Sequence, residues 1–224
     1  MATVKSHYDD HLAGFYSWMT GNFTTLKAAF GKFCDEHGIA SPGKALDLGC
    51  GSGIQSVALA ERGFEVTALD FNGRLLAELN ANRGDLPVTI VEADMRAFSR
   101  HTVSPFDLIL CCGDTLSHLD TFHEVDKLLA DIHKSLQAGG KVVLTFRDYA
   151  VGLEDTGRFI PVKSDGERIL TCFLEYFPGK VRVTDLLHEK AGDGWIQKVS
   201  SYEKLRLTRI GVIDSLKRAG FAVL

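Results

Sequence analysis

The chain has 224 residues, a net charge of −4, 45% apolar residues and a mean hydropathy near zero. These values indicate one globular α/β-sized domain with a small appendage. The negative charge offers no broad attraction to nucleic acid or to an anionic membrane, and no apolar run approaches a bilayer-spanning length. The first ten residues are polar and no apolar h-region follows, so we expect no targeting segment and a cytoplasmic location. Assembly into a homo-oligomer stays open.

Cysteine and histidine spacing gives no sign of a metal site. The five cysteines lack C-x-x-C spacing and lie mostly in apolar strands, which is typical of reduced core thiols. The histidines likewise show no metal-ligand spacing, so we expect no metal.

Residues 1–43 are the most aromatic part of the chain. Apolar residues at helical spacing predict a helix from Thr25 to His37, and Gly38 is suited to end it. This segment either docks on a sheet edge or folds over the open end of a ligand site, where its aromatic rings would form walls.

A glycine-rich stretch follows the first predicted strand, at residues 45–48. Its three glycines occupy alternate positions: Gly49, Gly51 and Gly53. Glycine permits a positive φ and lets a ligand lie against the main chain, and the helix that follows offers free N–H groups. A dinucleotide fingerprint would need glycine at position 54, where Ile54 stands, so a nicotinamide dehydrogenase is disfavoured. Asp70, about twenty residues on, is placed as a ribose-binding acid.

Strands and helices then alternate. We predict strands at residues 65–69, 87–91, 106–112 and 141–146, and helices at 55–62, 73–83 and 125–136. This alternation predicts an α/β fold with a doubly wound, Rossmann-like and mostly parallel sheet, whose ligands lie beyond the carboxyl ends of the strands.

The alternation ends after the fifth strand. Residues 167–175, 180–187 and 195–207 predict an inserted three-stranded antiparallel meander with glycine turns. A last helix at 210–218 and a strand beginning at Phe221 return to the main sheet. We therefore divide the chain into an N-terminal cap (1–43), a core (44–150), the insertion (151–207) and a final part of the core (208–224).

The sequence from Asp47 to Gly53, D-x-G-x-G-x-G, resembles motif I of the class I S-adenosylmethionine-dependent methyltransferases. This resemblance implies that S-adenosylmethionine is the cofactor. It makes ten residues candidates for cofactor binding: Asp47, Gly49, Gly51, Gly53, Asp70, Phe71, Asp94, Met95, Cys112 and Gly113. In this interpretation Asp70 receives the ribose hydroxyls and Asp94 the adenine amine. Asp47 either braces the loop or binds the cofactor amino group, and for Asp70 and Asp94 the alternative is a turn-forming acid.

Two later segments are similar to those of glycine N-methyltransferases and their relatives. Residues 113–119 resemble G-N-S-x-x-H-L and residues 147–149 resemble R-N-Y, with Asp114 and Asp148 in place of asparagine. The resemblance implies that Arg147 grips a substrate carboxylate. A structural ion pair of Arg147 with Asp148 or Glu154 is the alternative.

The remaining candidates lie around the expected methyl position. His118 is a candidate general base, or else a structural residue bonded to backbone. Asp114 is a candidate for holding a substrate ammonium, or else a solvated loop acid. Tyr149 and Tyr16 are candidate walls of the substrate site, with ordinary packing as the alternative.

The sequence thus predicts a methyltransferase that methylates an amine or hydroxyl of a small, carboxylate-bearing molecule. Two alternatives stay open, a methyltransferase of macromolecules and a non-catalytic domain that binds S-adenosylmethionine.

Overall fold

Two β-sheets organise the computed structural model, which describes residues 2–40 and 43–223. The strands of the first sheet are β1 (Gly43–Leu48), β2 (Phe64–Asp70), β3 (Val88–Glu92), β4 (Phe106–Cys111) and β5 (Leu136–Leu144). All of its pairings are parallel, in the order β3-β2-β1-β4-β5. The predicted doubly wound sheet is confirmed. Its strand order reverses between β1 and β4, and such a reversal opens a crevice at the carboxyl ends of the strands.

Five helices cover the two faces of this sheet: α3 (Phe23–Glu36), α4 (Ile54–Glu61), α5 (Gly73–Arg83), α6 (Phe122–Ser135) and α7 (Arg209–Arg218). The two short N-terminal helices, α1 (Val4–Asp10) and α2 (Tyr16–Thr20), pack instead against the second sheet. One buried core joins the first sheet to α3, α4 and α5, and another joins it to α6 and α7. In the described ranges, no helix is both long enough and apolar enough to cross a membrane.

Polar residues cap several helices at their N-termini. The Asn22 side chain accepts the backbone N–H of Thr25 at the start of α3, and Asn72 accepts that of Leu75 at the start of α5. Such caps satisfy N–H groups that have no partner inside the helix. The caps therefore fix the residue at which each helix begins.

The second sheet has four antiparallel strands, so the predicted three-stranded meander was one strand short. The strands are β6 (Phe159–Ser164), β7 (Arg168–Phe177), β8 (Lys180–Ala191) and β9 (Gly194–Leu205), in sequence order. The missed strand, β6, contains Pro161, which lacks a backbone N–H and weakens the strand pattern. A proline is tolerated there because β6 lies at the edge of its sheet.

Two predicted boundaries around the open edge of the main sheet differ from the structure. Strand β5 begins at Leu136 and not at Lys141, with a register irregularity in β4 between Phe106 and Leu108. The strand predicted from Phe221 is not formed at residues 221–223, and Leu224 lies outside the described residues. Phe221 instead packs against the α6, α7 core, so it gains burial without a strand partner.

Candidate active site

A cavity of about 340 Å³ opens at the carboxyl ends of β1, β2 and β3. Its wall consists of Val4, Lys5, Tyr8, Tyr16, Gly49, Gly51, Leu69, Asp70, Phe71, Leu75, Glu92, Ala93, Asp94, Met95, Arg96, Thr115, His118 and Leu119. The volume lies within the range of small-molecule sites, about 300–1,000 Å³. The fold therefore places a ligand-sized space where a doubly wound sheet binds its ligands.

The glycine loop forms one side of this cavity. Gly49 and Gly51 have φ angles of +71° and +53°, and the N–H of Gly49 donates to the Leu69 carbonyl at 2.8 Å. A Cβ at Gly49 would lie 2.3 Å from the Thr115 side chain. Glycine is thus required at position 49 for both its backbone angle and the space beside it.

The Asp70 carboxylate ties the loop to the next strand. Its Oδ2 accepts the N–H of Gly51 and its Oδ1 accepts the N–H of Asn72, both at 2.9 Å. Burial raises the pKa of Asp70, whereas these backbone hydrogen bonds act in the opposite direction. Each oxygen still has a lone pair that can accept a ligand hydroxyl.

Arg96 holds the acid that follows β3. Its Nη2 lies 2.6 Å from Asp94 Oδ2, and its Nη1 lies 3.3 Å from Asp120 and from Glu124. Burial alone would raise the pKa of Asp94, but the hydrogen bonds and charge of Arg96 lower it below its usual value. Asp94 thus stands at the cavity wall as a fixed, ionised acceptor.

Four of the candidate cofactor residues lie off the cavity wall in the part of the chain that the structure describes: Asp47, Gly53, Cys112 and Gly113. Gly53 has φ +89°, and a Cβ there would lie 2.1 Å from Leu79 Cδ1, so it serves helix packing. Asp47 is 1% exposed and accepts the Ser56 hydroxyl at 2.6 Å, which matches the bracing alternative. Burial raises the pKa of Asp47 to about 6.

His118 lies on the cavity wall against Tyr8, with 5.5 Å between ring centroids. Its Nε2 is buried and has no hydrogen-bond partner among the described residues. Burial, followed by the positive charge of Lys204, lowers the pKa of His118 to about 3. The imidazole is therefore neutral near pH 7, with a nitrogen free to bond a ligand.

A charged cluster adjoins His118. Asp114 Oδ2 lies 2.5 Å from Lys204 Nζ on β9 and 3.4 Å from the Tyr149 hydroxyl, and Asp114 Oδ1 accepts the N–H of Arg147. Burial alone would raise the pKa of Asp114, but Lys204 lowers it. Asp114 thus has a cation of its own and is not the solvated acid of the alternative interpretation.

Arg147 is exposed beside this cluster. Its guanidinium makes no ion pair or hydrogen bond with the described residues, so the structural pair with Asp148 or Glu154 is absent from them. Arg147 and Tyr149 lie outside the wall of the cavity, whereas Tyr16 forms part of it.

The N-terminal helix α1 lies over the cavity and contributes Val4, Lys5 and Tyr8 to its wall. Asn72 donates to Asp9 at 2.8 Å, which ties α1 to the end of β2. On the other side, His7 lies 3.1 Å from Asp185 and 2.8 Å from Ser200, which ties α1 to the second sheet. Helix α3 instead packs on the main sheet. Within the N-terminal segment, α1 therefore lies over the cavity, whereas α3 packs on a face of the main sheet beside α4 and not on its edge.

Sequence reasoning missed Arg96 and Lys204. Arg96 follows Asp94 by two residues, so its role was readable as a local turn pair. Lys204 is 90 residues from Asp114, and the only available signal was the alternation of β9, which turns Ser200, Tyr202 and Lys204 to one face. No group of three or more metal-ligating side chains occurs in residues 2–40 and 43–223.

A protein-family model for a methyltransferase domain matches residues 45–140. A glycine/sarcosine N-methyltransferase of Halorhodospira halochloris is 35% identical over 196 residues, which cover 74% of this chain and 69% of that protein. A glycine/sarcosine N-methyltransferase of Aphanothece halophytica is 32% identical, over 56% of this chain and 47% of that protein. The chain thus spans about half the length of the latter relative.

Solved structures give the same fold at low identity. The CcbJ methyltransferase of Streptomyces caelestis superimposes with a TM-score of 0.75 at 18% identity, covering 95% of this chain and 86% of that one. DesVI of Streptomyces venezuelae gives 0.73 at 17% identity, with 90% and 85% covered. At these identities the likeness establishes the architecture alone.

Proposed function

We propose that this chain, which belongs to the class I S-adenosylmethionine-dependent methyltransferase family, methylates the amine of a small molecule that carries a carboxylate. This membership confirms two predictions from the sequence, the methyltransferase family and S-adenosylmethionine as the cofactor. The observation that carries the proposal is a glycine-lined cavity with His118 on its wall, adjoined by Asp114, whose carboxylate accepts the backbone N–H of the exposed Arg147. The activity of the relatives on glycine and sarcosine favours an amine over a hydroxyl.

The cavity wall fits the cofactor. Gly49 and Gly51 leave room against the main chain, Asp70 offers acceptors for ribose hydroxyls, and Asp94 and Met95 lie where the adenine would be held. When bound, S-adenosylmethionine supplies a methyl group already activated on a sulfonium. The chain therefore has to position the acceptor, exclude water and keep the acceptor nitrogen unprotonated.

His118 suits the first of these tasks, which is to position the acceptor. A ring that stays neutral does not repel a cationic sulfonium, and its buried Nε2 can accept a hydrogen bond from the acceptor N–H. A pKa of about 3 makes this ring a weak store for a proton. We therefore assign His118 the role of orienting the amine and not of holding its proton.

Arg147 suits the carboxylate. A guanidinium without an internal partner presents two parallel N–H groups, which match a planar carboxylate. With the acid group bound there, the amine of a short amino acid is directed toward His118 and away from solvent. Tyr149 and Tyr16 would complete the walls of this acceptor end.

Transfer of a labelled methyl group from S-adenosylmethionine to a panel of small amines, with and without a carboxylate, tests the proposal. We expect label in the carboxylate-bearing amines. Label only in uncharged acceptors or in macromolecules, or cofactor binding without any transfer, would refute it.

Arg147→Lys sharpens the test. It should raise KM by roughly tenfold or more while cofactor affinity stays constant, because a point charge cannot reproduce the two-pronged contact. Arg218→Lys, at a surface pair with Asp126, is the matched control. Unchanged kinetics in Arg147→Lys would contradict the carboxylate assignment.

A further inference from the structure

We propose that Lys204 is a positioning residue that makes the acceptor end select acids, by holding Asp114 in an ion pair and leaving Arg147 free. The inference rests on the proposed function, since it concerns the charge preference of that same site. Lys204 acts through Asp114 and Arg147 and need not touch the acceptor.

The Lys204–Asp114 pair is sheltered from solvent. The two side chains are 11% and 18% exposed, and 2.5 Å separates Nζ from Oδ2. Burial alone would lower the pKa of Lys204, but Asp114 more than offsets this and raises it. Both members are therefore charged near pH 7, and the pair as a whole is neutral.

Of the titratable groups near Lys204, Asp114 is the one that balances its positive charge. The others come from the loops after β4 and β5, from β7, β8 and β9, and from α2: His118, Arg147, Tyr149, Cys172, Asp185, Tyr202 and Tyr16. Among these, the other carboxylate is Asp185, and its two oxygens already meet His7 Nε2 at 3.1 Å and the Cys172 thiol at 2.9 Å. Burial raises the pKa of the Tyr202 hydroxyl well above its ordinary value, so this group stays neutral.

The charges of Asp114, Lys204 and Arg147 together set the net charge around a ligand bound at this end of the site. Asp114 and Lys204 cancel, and the Arg147 guanidinium has no partner among the described residues. One positive charge thus remains, which attracts a carboxylate and disfavours an ammonium. The same charge favours an acceptor amine in its neutral form, which is the form that can attack a methyl group.

Without Lys204 the Asp114 carboxylate would be left buried and unpaired. It would then bind a ligand ammonium, or it would engage Arg147, whose backbone N–H it already accepts at 3.1 Å. Either result removes the preference for acids. Lys204→Met should therefore change the charge that the site selects and not only the stability of the protein.

Two small probes of opposite charge, acetate and methylammonium, test this in NMR titrations of the full chain saturated with S-adenosylhomocysteine. The unmodified protein should bind acetate in preference to methylammonium. Lys204→Met should weaken acetate binding by roughly tenfold and reverse the preference. Probe binding is read separately from methyl transfer, so failure of the proposed function would be distinguishable from failure of this inference.

Two further variants separate positioning from folding. Lys204→Arg keeps the charge, and the double variant Lys204→Met with Asp114→Asn removes both charges, so each should restore the preference for acetate. Lys198 lies on the same strand as Lys204 and pairs with Glu189 of β8, so Lys198→Met breaks a different ion pair and should leave the preference unchanged. If Lys204→Met fails to fold, Asp114→Asn alone should strengthen acetate binding. An unchanged preference in Lys204→Met, or no strengthening in Asp114→Asn, would overturn the proposal.

Discussion

The proposed site has a cofactor end around Gly49, Gly51 and Asp70, and an acceptor end around Asp114 and His118. The pKa values of buried carboxylates are shifted in opposite directions at these two ends. At the cofactor end, Asp47 and Asp70 receive hydrogen bonds from a hydroxyl and from backbone N–H groups, and burial raises the pKa of each. At the acceptor end, Asp114 meets the Lys204 ammonium, and the pKa of Asp114 is lowered. The buried acids of the first end are therefore held by neutral donors, whereas Asp114 of the second end is held by a cation from a distant part of the chain.

The largest expected effect comes from the backbone of the cofactor end. Gly53→Ala forces a residue with a side chain to φ +89° and places its Cβ 2.1 Å from Leu79. We expect it to lower the free energy of unfolding by about 2–4 kcal/mol in denaturant titrations. Gly166→Ala, where no atom lies within 4 Å of the added Cβ, should have little effect. Equal losses in the two variants would show that the loop is not under this constraint.

Asp47 tests how a buried carboxylate affects stability when its partner is a neutral hydroxyl and not a cation. Its folded pKa of about 6 lies above the ordinary 3.8, so its ionisation costs stability, and this cost grows as the pH rises from about 4 to about 6. Asp47→Asn retains an acceptor for Ser56 and should raise the free energy of unfolding at pH 8 by up to about 3 kcal/mol. At pH 4 the variant should gain nothing. Stability curves that run parallel from pH 4 to pH 8 would contradict the raised pKa.

A smaller effect is expected for cofactor affinity. Asp70→Asn replaces one acceptor oxygen by an NH₂ group that faces a backbone donor, so the loop and the ribose contact both weaken. We expect S-adenosylhomocysteine to bind more weakly by about 1–3 kcal/mol in calorimetry. Asp107→Asn is a matched control, because Asp107 accepts the N–H of Lys44 at the opposite end of the sheet. Unchanged affinity in Asp70→Asn would remove Asp70 from the cofactor site.

The same contrast explains what the sequence could predict. The glycines and the strand-end acids act on residues nearby in the chain, so the sequence alone predicted the parallel sheet and the candidate residues for the cofactor. Asp114 was recognisable as a carboxylate where the resemblance expects an amide. Its partner Lys204 was not, because the pair depends on the register of β9 in a second sheet.

The other discrepancies also have specific structural causes. Gly53 matched the motif, yet its role is set by Leu79 of α5, which no spacing within the motif reveals. Strand β6 was hidden by Pro161, and the residues predicted to form a strand from Phe221 pack Phe221 into the α6, α7 core and leave the edge of β5 open in the described part of the chain. The burial that makes His118 neutral comes from aromatic residues of α1 and β9, and no local pattern encodes that contact.

Calorimetry of the full chain with S-adenosylmethionine, S-adenosylhomocysteine and NAD tests the central claim most directly. The cavity wall, with Gly49, Gly51 and Asp70 at the end of the first two strands, predicts binding of both sulfur compounds and no binding of NAD. Tight binding of NAD without binding of either sulfur compound would contradict it.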